Sequence, residues 1–328
     1  MNHAAIRFHD EHPGVSSLRD EVLRGLAAQP KAIPPKFFYD ERGSKLFDRI
    51  CEQPEYYPTR TEIGILDQCA ADIAALAGPG TVLVELGSGA SRKVRLLLDA
   101  LRPAAYVGVD ISRDFLLHST ARLAQDYPWL PVHACCADFS RGLSLPALEP
   151  DARRKLAFYP GSSIGNFEPA AAGAFLRQLR RMLLPDGALL IGVDLKKDPA
   201  VLDAAYNDAG GVTAEFNLNL LHRIRRELDA ALDVGAFRHR AFYNAAQGRV
   251  EMHLRSDRDQ EIRINGRRFC LRTGETIHTE NSYKYALEEF RRLAGQAGFR
   301  PLQAWTDPRE LFSVHYLAVE PAPHAAER

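Results

Sequence analysis

The sequence predicts an α/β fold, a parallel sheet with helices on both faces, with a second region formed by an internal antiparallel insertion. Three observations carry this. The stretch Thr81-Val-Leu-Val-Glu85-Leu-Gly87-Ser-Gly89-Ala-Ser-Arg-Lys93 is an apolar run, a glycine turn and the opening of an amphipathic helix with Val94, Leu96, Leu97 and Leu98. From Thr81 to about Leu195, short β-rich runs alternate with helical stretches, the pattern of a sheet buried on both sides. Beyond Lys196 the texture changes to helices followed by period-two alternation, which marks an antiparallel insertion.

Each element has its own signal. Strands are expected at Val82–Leu86, Tyr106–Asp110, Val132–Ala137, Leu156–Tyr159 and Ala188–Asp194. Helices are expected at Lys93–Leu101, Arg113–Asp126 and Ala170–Leu184, the last opened by Pro169 and stopped by Pro185-Asp186-Gly187. In the insertion, Ala204–Asp208 and Phe216–Leu228 read as helices separated by Gly210-Gly211, the second with an apolar stripe of Phe216, Leu220, Leu221, Ile224 and Leu228. Arg249–Leu254 and Glu261–Ile264 alternate, with hairpin punctuation at Asn265-Gly266. A helical pattern resumes from Ser282 to Gly295, and Phe299–Trp305 and Leu311–Val319 then add two strands to the parallel sheet. The stretch through Arg60 has no strand pattern, but its aromatic residues (Phe37, Phe38, Tyr39, Phe47, Tyr56, Tyr57) can cap a pocket. The expected boundaries are 61–196 plus 287–328 for the sheet domain, and 12–60 plus 197–286 for the second domain.

In a parallel sheet, ligands sit at the carboxyl ends of the strands. Gly87 and Gly89 follow the first strand, and Asp110 ends the second, placed to bond ribose hydroxyls. A dinucleotide fingerprint would have a third glycine where this chain has Arg92, which argues against NAD or FAD and for a nucleoside cofactor without a pyrophosphate. S-adenosylmethionine is the candidate; the bland alternative is a strand–helix turn of any α/β domain. Asp138-Phe139 after the third strand offers a carboxylate for an adenine amino group and a ring face, or else a helix cap and a core Phe. Pro160-Gly161-Ser-Ser-Ile-Gly165-Asn166-Phe167 after the fourth suits close backbone approach to a ligand and leaves Asn166 to present an amide.

Composition excludes several classes. The chain has 328 residues, and its 42 basic and 42 acidic residues give a formal net charge of zero, with no footprint for nucleic acid or an anionic membrane. Five scattered cysteines form no CxxC pair, which suggests reduced thiols in a cytoplasm. The first ten residues do not read as a signal peptide, and no apolar run approaches membrane-span length. The eleven histidines show no metal-ligand spacing, so no metal is expected. A cytoplasmic, monomeric enzyme acting on a small molecule is the expectation.

With these residues in hand, the chain resembles the histidine Nα-methyltransferases of ergothioneine biosynthesis. The likeness runs through Tyr39-Asp-Glu-Arg-Gly-Ser44, Pro54-Glu-Tyr56-Tyr-Pro-Thr-Arg-Thr-Glu62, Glu85-Leu-Gly-Ser-Gly89 and Gly161-Ser-Ser-Ile-Gly-Asn166. It continues in Ala205-Tyr206-Asn-Asp208, Gly211-Val-Thr213, Phe216-Asn-Leu-Asn219 and Thr279-Glu280-Asn-Ser282. The resemblance implies a class I, Rossmann-like S-adenosylmethionine-dependent methyltransferase domain with an α+β substrate-binding domain. It implies that Gly87, Lys93, Asp110, Asp138 and Phe139 hold the cofactor. By the same resemblance Asn166 and Tyr206 bond the amino-acid carboxylate, and the Gly161 carbonyl faces the amine. Tyr56, Glu280 and Ser282 line an imidazole pocket with Met252 against the ring, and Tyr39 and Phe216 lie near the growing ammonium. Ser163, Arg225 and Asn281 depart from the family's usual residues, and none removes a side chain assigned a role.

The implied reaction is methylation of the α-amino group of L-histidine, three times, to the betaine hercynine. No residue is singled out to take the amine proton. Rival readings are an acceptor such as tryptophan or a histidine derivative, a protein that binds S-adenosylmethionine as a sensor, and a nicotinamide oxidoreductase, which Arg92 disfavours. For Glu280 the competing role is an acid capping a helix that starts at Ser282.

Overall fold

The computed structural model describes residues 6–10, 18–89, 92–139, 145 and 154–320. The chain forms two compact units, one of Met1–Pro13, Pro58–Leu195 and Tyr285–Arg328, the other of Gly14–Tyr57 and Lys196–Lys284.

The first unit is built on an eight-stranded sheet in the order Arg7–Asp10, Val132–Cys136, Ala105–Asp110, Thr81–Leu86, Arg154–Tyr159, Ala188–Asp194, Phe312–Val319, Phe299–Thr306. The first six run parallel, with Leu83 opposite Tyr106 on one side and Leu156 on the other. Every residue of Thr81–Leu86 is buried, as a strand covered on both faces must be. Helices Tyr57–Ala77, Arg92–Leu101, Arg113–Asp126, Pro169–Leu183 and Leu287–Gln296 belong to this layer system. Ile65, Cys69, Ile73 and Ala77, four apart on the first helix, join Leu83, Leu98, Leu156 and Phe158 in the core.

Three expectations are corrected here. The N-terminal region does contain strands: Arg7–Asp10 pairs parallel with Val132–Cys136, and Lys31–Ala32 pairs with Thr276–Tyr283. Both are too short and too close to a sheet edge to show alternation. The two C-terminal strands do extend the sheet, but through antiparallel ladders: Phe312–Val319 runs against Ala188–Asp194, and Phe299–Thr306 runs against Phe312–Val319 and so in the direction of the six parallel strands. Only residues 307–311 separate them, and a parallel return needs a crossover of a dozen residues or more. The final helix begins at Leu287, not Ser282, because Ser282 and Tyr283 are paired with Val250 and Arg249 in a ladder.

The second unit contains a four-stranded sheet in the order Lys31–Ala32, Thr276–Tyr283, Arg249–Ser256, Phe237–Asn244. A separate hairpin joins Gln260–Ile264 to Arg267–Leu271, and its turn residues Asn265 and Gly266 have φ of 49° and 75°, the left-handed pair that a type I′ turn requires. Helices Leu18–Ala27, Glu41–Ile50, Pro199–Tyr206 and Val212–Glu227 complete it. Phe216, Leu220, Leu221 and Ile224 are the buried stripe of the last of these. No helix among the described residues is long and apolar enough to cross a membrane.

Two glycines separate crowding from helix propensity. A Cβ on Gly192, in the Ala188–Asp194 strand, would overlap the Glu62 carboxylate and the Phe312 ring. Gly192→Ala is therefore expected to destabilise the protein by about 1–3 kcal/mol. Gly64→Ala, at an exposed helical position with open space around it, is expected to be neutral or to stabilise by up to about 1 kcal/mol. Urea denaturation of both variants beside the parent checks the pair, and equal midpoints would refute the packing account.

Candidate active site

In the first unit, the residues expected to hold a cofactor gather at the carboxyl ends of adjacent strands. Gly87 turns the chain at φ 71°, and its N–H and that of Ser88 donate to the Val109 carbonyl at 2.8 and 3.1 Å. This places the glycine turn against the end of the next strand, where Asp110 stands. Asp110 Oδ2 accepts from Gly89 N–H at 3.1 Å and Oδ1 from Ser112 N–H at 2.9 Å. Burial raises this carboxyl, and those backbone donors oppose the rise. Phe139 leans toward Gly87 and makes edge contact with Tyr159 at 5.8 Å between ring centres. Ala90 and Ser91 of the turn lie outside the described residues.

Lys93 and Gly161 meet through a residue that the sequence reading gave no role. Glu62 is completely buried; Lys93 Nζ donates to its Oε2 at 2.5 Å, and Gly161 N–H donates to both oxygens at 2.9 and 3.1 Å. Gly161 and Ser162 are both left-handed, at φ 78° and 57°, and Ser162 Oγ accepts from Asp194 N–H at 2.9 Å, tying this loop to the end of the next strand. Asn166 ends a 3-10 turn at Ser163–Asn166, half-buried, its amide making no hydrogen bond to any described residue. A second buried carboxylate lies beneath: Tyr106 Oη donates to Glu85 at 2.6 Å, and burial pushes Glu85 up to about 8 despite that bond.

In the second unit, the expected acceptor residues also come together. Ring contacts run from Phe38 to Phe216 (4.6 Å), Phe216 to Tyr39 (5.7 Å), Tyr39 to Phe47 (5.8 Å), Phe47 to Tyr56 (6.3 Å) and Tyr56 to Tyr206 (6.3 Å). The N-terminal aromatic residues thus divide. Four join this cluster, while Phe37 packs under Lys36 and Arg223, and Tyr57 under Lys197. Glu280 and Ser282 lie on the Thr276–Tyr283 strand opposite Met252 and Val250. The helix-cap alternative for Glu280 is excluded, since a strand ladder holds it. Burial pushes the Glu280 carboxyl up to about 7, with Lys284 pulling the other way. Tyr206 Oη donates to Ser282 Oγ at 2.8 Å, and Lys284 Nζ donates to Ser282 Oγ at 2.8 Å and to Tyr206 Oη at 3.1 Å. Lys284 is a functional candidate that the sequence reading missed; a lone lysine after an alternating strand gives no signal.

With both halves described, comparison with known proteins decides the family. Residues 18–319 match the model of the S-adenosylmethionine-dependent histidine-specific methyltransferases. The chain belongs to that family. It is 43% identical over 304 residues to the histidine N-alpha-methyltransferase of Mycolicibacterium smegmatis, covering 91% of this chain and 94% of that one. To the Mycobacterium tuberculosis protein of the same name it is 41% identical over 314 residues, covering 94% and 97%. A more distant relative, a 4-dimethylallyltryptophan N-methyltransferase of Claviceps purpurea, is 27% identical over 318 residues, covering 89% and 92%.

This methyltransferase therefore uses S-adenosylmethionine, and its residues fit that group. Asp110 has spent one lone pair of each carboxylate oxygen on backbone N–H and retains acceptor capacity for ribose hydroxyls. Gly87 supplies the left-handed turn that lets backbone approach a ligand.

Polar residues of the family motifs also tie elements of the second unit together. Asp40 accepts from Gly43 N–H (2.7 Å), Asn219 Nδ2 (2.8 Å) and Arg226 Nη2 (2.6 Å). Asp208 caps the Val212–Glu227 helix by accepting from Val212 and Thr213 N–H at 2.7 and 2.8 Å. Thr279 Oγ1 donates to Asn217 Oδ1 at 2.9 Å, while Asn217 Nδ2 donates to His239 Nδ1 and His239 Nε2 to the Tyr206 carbonyl, both at 2.9 Å. The departure Arg225 lies exposed at the end of this helix.

No metal spacing was visible in the sequence, yet Glu251, His253 and His278 approach closely across two strands. Glu251 is already engaged by Arg249 Nε and Asn244 Nδ2, each at 2.9 Å, and by His253 Nε2 at 3.0 Å. Burial raises this carboxyl, but those three donors more than reverse the rise and hold it at about 2. A folded value below the ordinary 4.5 means stabilisation that is complete above that pH and is lost as pH falls toward about 2. Glu251→Gln should lower stability at neutral pH and flatten its acid dependence, measured as thermal midpoints from neutrality into acid. An unchanged slope would show that this carboxylate is not a source of the acid lability.

Proposed function

We propose that this enzyme transfers methyl groups to the α-amino nitrogen of L-histidine, three in succession, giving the trimethyl betaine. The carrying observation is the polar pair Glu280 and Ser282 on one strand of the second unit, with Ser282 bonded to Tyr206 of the aromatic cluster. S-adenosylmethionine supplies an activated methyl on a sulfonium; Asp110, Gly87, Lys93, Asp138 and Phe139 are the residues assigned to hold it. The protein's own contribution is then orientation, because a near-attack geometry alone removes much of the barrier to a bimolecular transfer.

In this reading Glu280 accepts an imidazole N–H, Ser282 and Tyr56 complete the ring's polar contacts, and Met252 packs on its face. Tyr206 and Asn166 bond the carboxylate, and the Gly161 carbonyl faces the amine. The Asn166 amide has no hydrogen-bond partner among the described residues to give up on binding. Tyr39, Tyr56 and Phe216 present ring faces to the ammonium, each worth about 0.5–2 kcal/mol as its charge becomes permanent. Reaction stops at the third methyl because no lone pair remains. The Claviceps relative is named for a tryptophan derivative, but indole offers one N–H and no in-plane lone pair, leaving half of the polar pair unanswered.

Asp110→Ala is expected to weaken S-adenosylhomocysteine binding by roughly ten- to a hundredfold, the loss of hydrogen bonds to a charged group, read by calorimetry. Undiminished affinity would remove Asp110 from the cofactor site. Histamine should be a very poor substrate beside histidine, and Asn166→Ala should narrow that gap. Comparable kcat/KM for the two amines in the parent enzyme would sink the carboxylate assignment. Glu280→Ala combined with Met252→Val should lower kcat/KM for histidine and raise it for tryptophan relative to the parent, and an unaltered ratio would mean the imidazole is read elsewhere.

A further inference from the structure

Glu62 and Lys93 form an ion pair whose two members differ in what they can touch. The Glu62 side chain is fully enclosed, while Lys93 keeps 16% of its side chain exposed. Lys93 Nζ donates to Glu62 Oε2 at 2.5 Å and to no other described residue. An ammonium has three donors, so two remain for a ligand. Glu62 is held in turn by the Gly161 N–H, which donates to both of its oxygens, so the carboxylate is not free to follow the lysine. It occupies that place only because Gly192 has no Cβ to overlap it.

Sheet order gives the pair its meaning. The Ala105–Asp110 strand lies on one side of Thr81–Leu86, and Arg154–Tyr159 lies on the other. Asp110 ends the first neighbour. Gly161 follows the second, and Lys93 Nζ is 3.5 Å from the point where a Gly161 Cβ would stand. The residue assigned to the ribose and the Lys93 ammonium therefore stand on opposite sides of the Gly87 turn. Beyond its ribose and sulfonium, S-adenosylmethionine carries an amino-acid tail, and the anion of that tail is a carboxylate.

We propose that Glu62 is a positioning residue for the cofactor: it holds the Lys93 ammonium ready for the carboxylate of the S-adenosylmethionine tail without touching the cofactor itself. The inference rests on the assignment of Lys93 to the cofactor and deepens it. A lysine stem is flexible, and an unheld one would lose that freedom on binding; one fixed by Glu62 has lost it on folding. Glutamine at this position keeps the shape but loses the charge. Its NH2 would face the Gly161 N–H or the Lys93 ammonium, donor against donor.

The test measures, by calorimetry, the affinities of S-adenosylhomocysteine and of methylthioadenosine, which has the nucleoside and thioether but no amino-acid tail. Parent, Glu62→Gln, Glu62→Asp, Lys93→Met and the double variant Glu62→Gln with Lys93→Met are compared, with folding followed by circular dichroism. Glu62→Gln should weaken S-adenosylhomocysteine roughly ten- to a hundredfold, the worth of hydrogen bonds to a charged group, and leave methylthioadenosine unchanged. The double variant should bind S-adenosylhomocysteine no more weakly than Lys93→Met alone, since Glu62 acts through that lysine. Equal weakening of both ligands by Glu62→Gln would overturn the proposal, because a merely structural acid predicts it. Tighter binding of S-adenosylhomocysteine would overturn it as well, since Glu62 would then be a competitor for the lysine. Should Glu62→Gln fail to fold, Glu62→Asp, which keeps the charge but draws it back from Lys93, carries the same comparison of the two ligands. A Lys93→Met enzyme that keeps the parent's ratio of the two affinities rejects the Lys93 assignment and the proposal with it. That failure is distinct from one in which Lys93→Met alters the ratio and Glu62→Gln does not.

Discussion

A carboxylate buried to the last atom has to be paired, and Glu62 is paired from two directions at once. Its charge would cost several kcal/mol in the interior if left alone. Lys93 from the helix after the first core strand and the backbone N–H of Gly161 after the fourth both close on it. Gly192 of the fifth strand leaves the space it occupies. One side chain therefore fixes three strand-end elements of the sheet unit, and the loop carrying Asn166 inherits its position from that pairing. The left-handed Ser162 is held in the same way, through the bond from Asp194 N–H. Backbone strain of this kind persists where the surroundings over-determine it.

The second unit obeys the same rule with different chemistry. Its buried polar groups are joined in chains: Thr279 to Asn217 to His239 to the Tyr206 carbonyl, and Lys284 to Tyr206 and Ser282. Such networks are costly when half satisfied and rigid when complete. The same strand that carries Glu280 and Ser282 carries Thr279 and precedes Lys284, so the residues assigned to read the acceptor ring and the residues that hold the strand in place are sequence neighbours. A bulge between His278 and Glu280 lets this happen, shifting the ladder so that Glu280 sits opposite Met252.

Preorganisation is the common consequence. Methyl transfer from a sulfonium asks little covalent chemistry of a protein, and orientation of a lone pair supplies most of what is needed. Aromatic rings already in mutual contact need no reordering to receive a cation, and the Tyr56–Tyr206–Ser282–Lys284 chain links that aromatic cluster to the strand of Glu280 and Ser282.

The central strands, the Gly87 turn and the place of Asp110 at the end of the next strand were legible in the sequence, because continuous apolar runs and glycine turns are local signals. Specific motifs, Gly161 through Asn166 and Thr279 through Ser282, likewise carry the resemblance to the family in the sequence itself. The antiparallel pairing of the last two strands was also implicit in the five residues that separate them. Edge strands at Arg7–Asp10 and Lys31–Ala32 were not legible, since so few residues carry no periodicity. Nor was the end of the Thr276–Tyr283 strand: Ser282 and Tyr283 suit a helix start locally, and only pairing with Arg249 and Val250 keeps them extended. Tertiary structure alone brought Glu62 to Lys93 and Gly161, gathered Glu251, His253 and His278 across strands, and set Lys284 beneath Tyr206. Those groups lie far apart in the chain or on neighbouring strands, and the physics that joins them, the cost of leaving a buried charge or hydroxyl unpaired, acts on distance in space and leaves no spacing rule in the sequence.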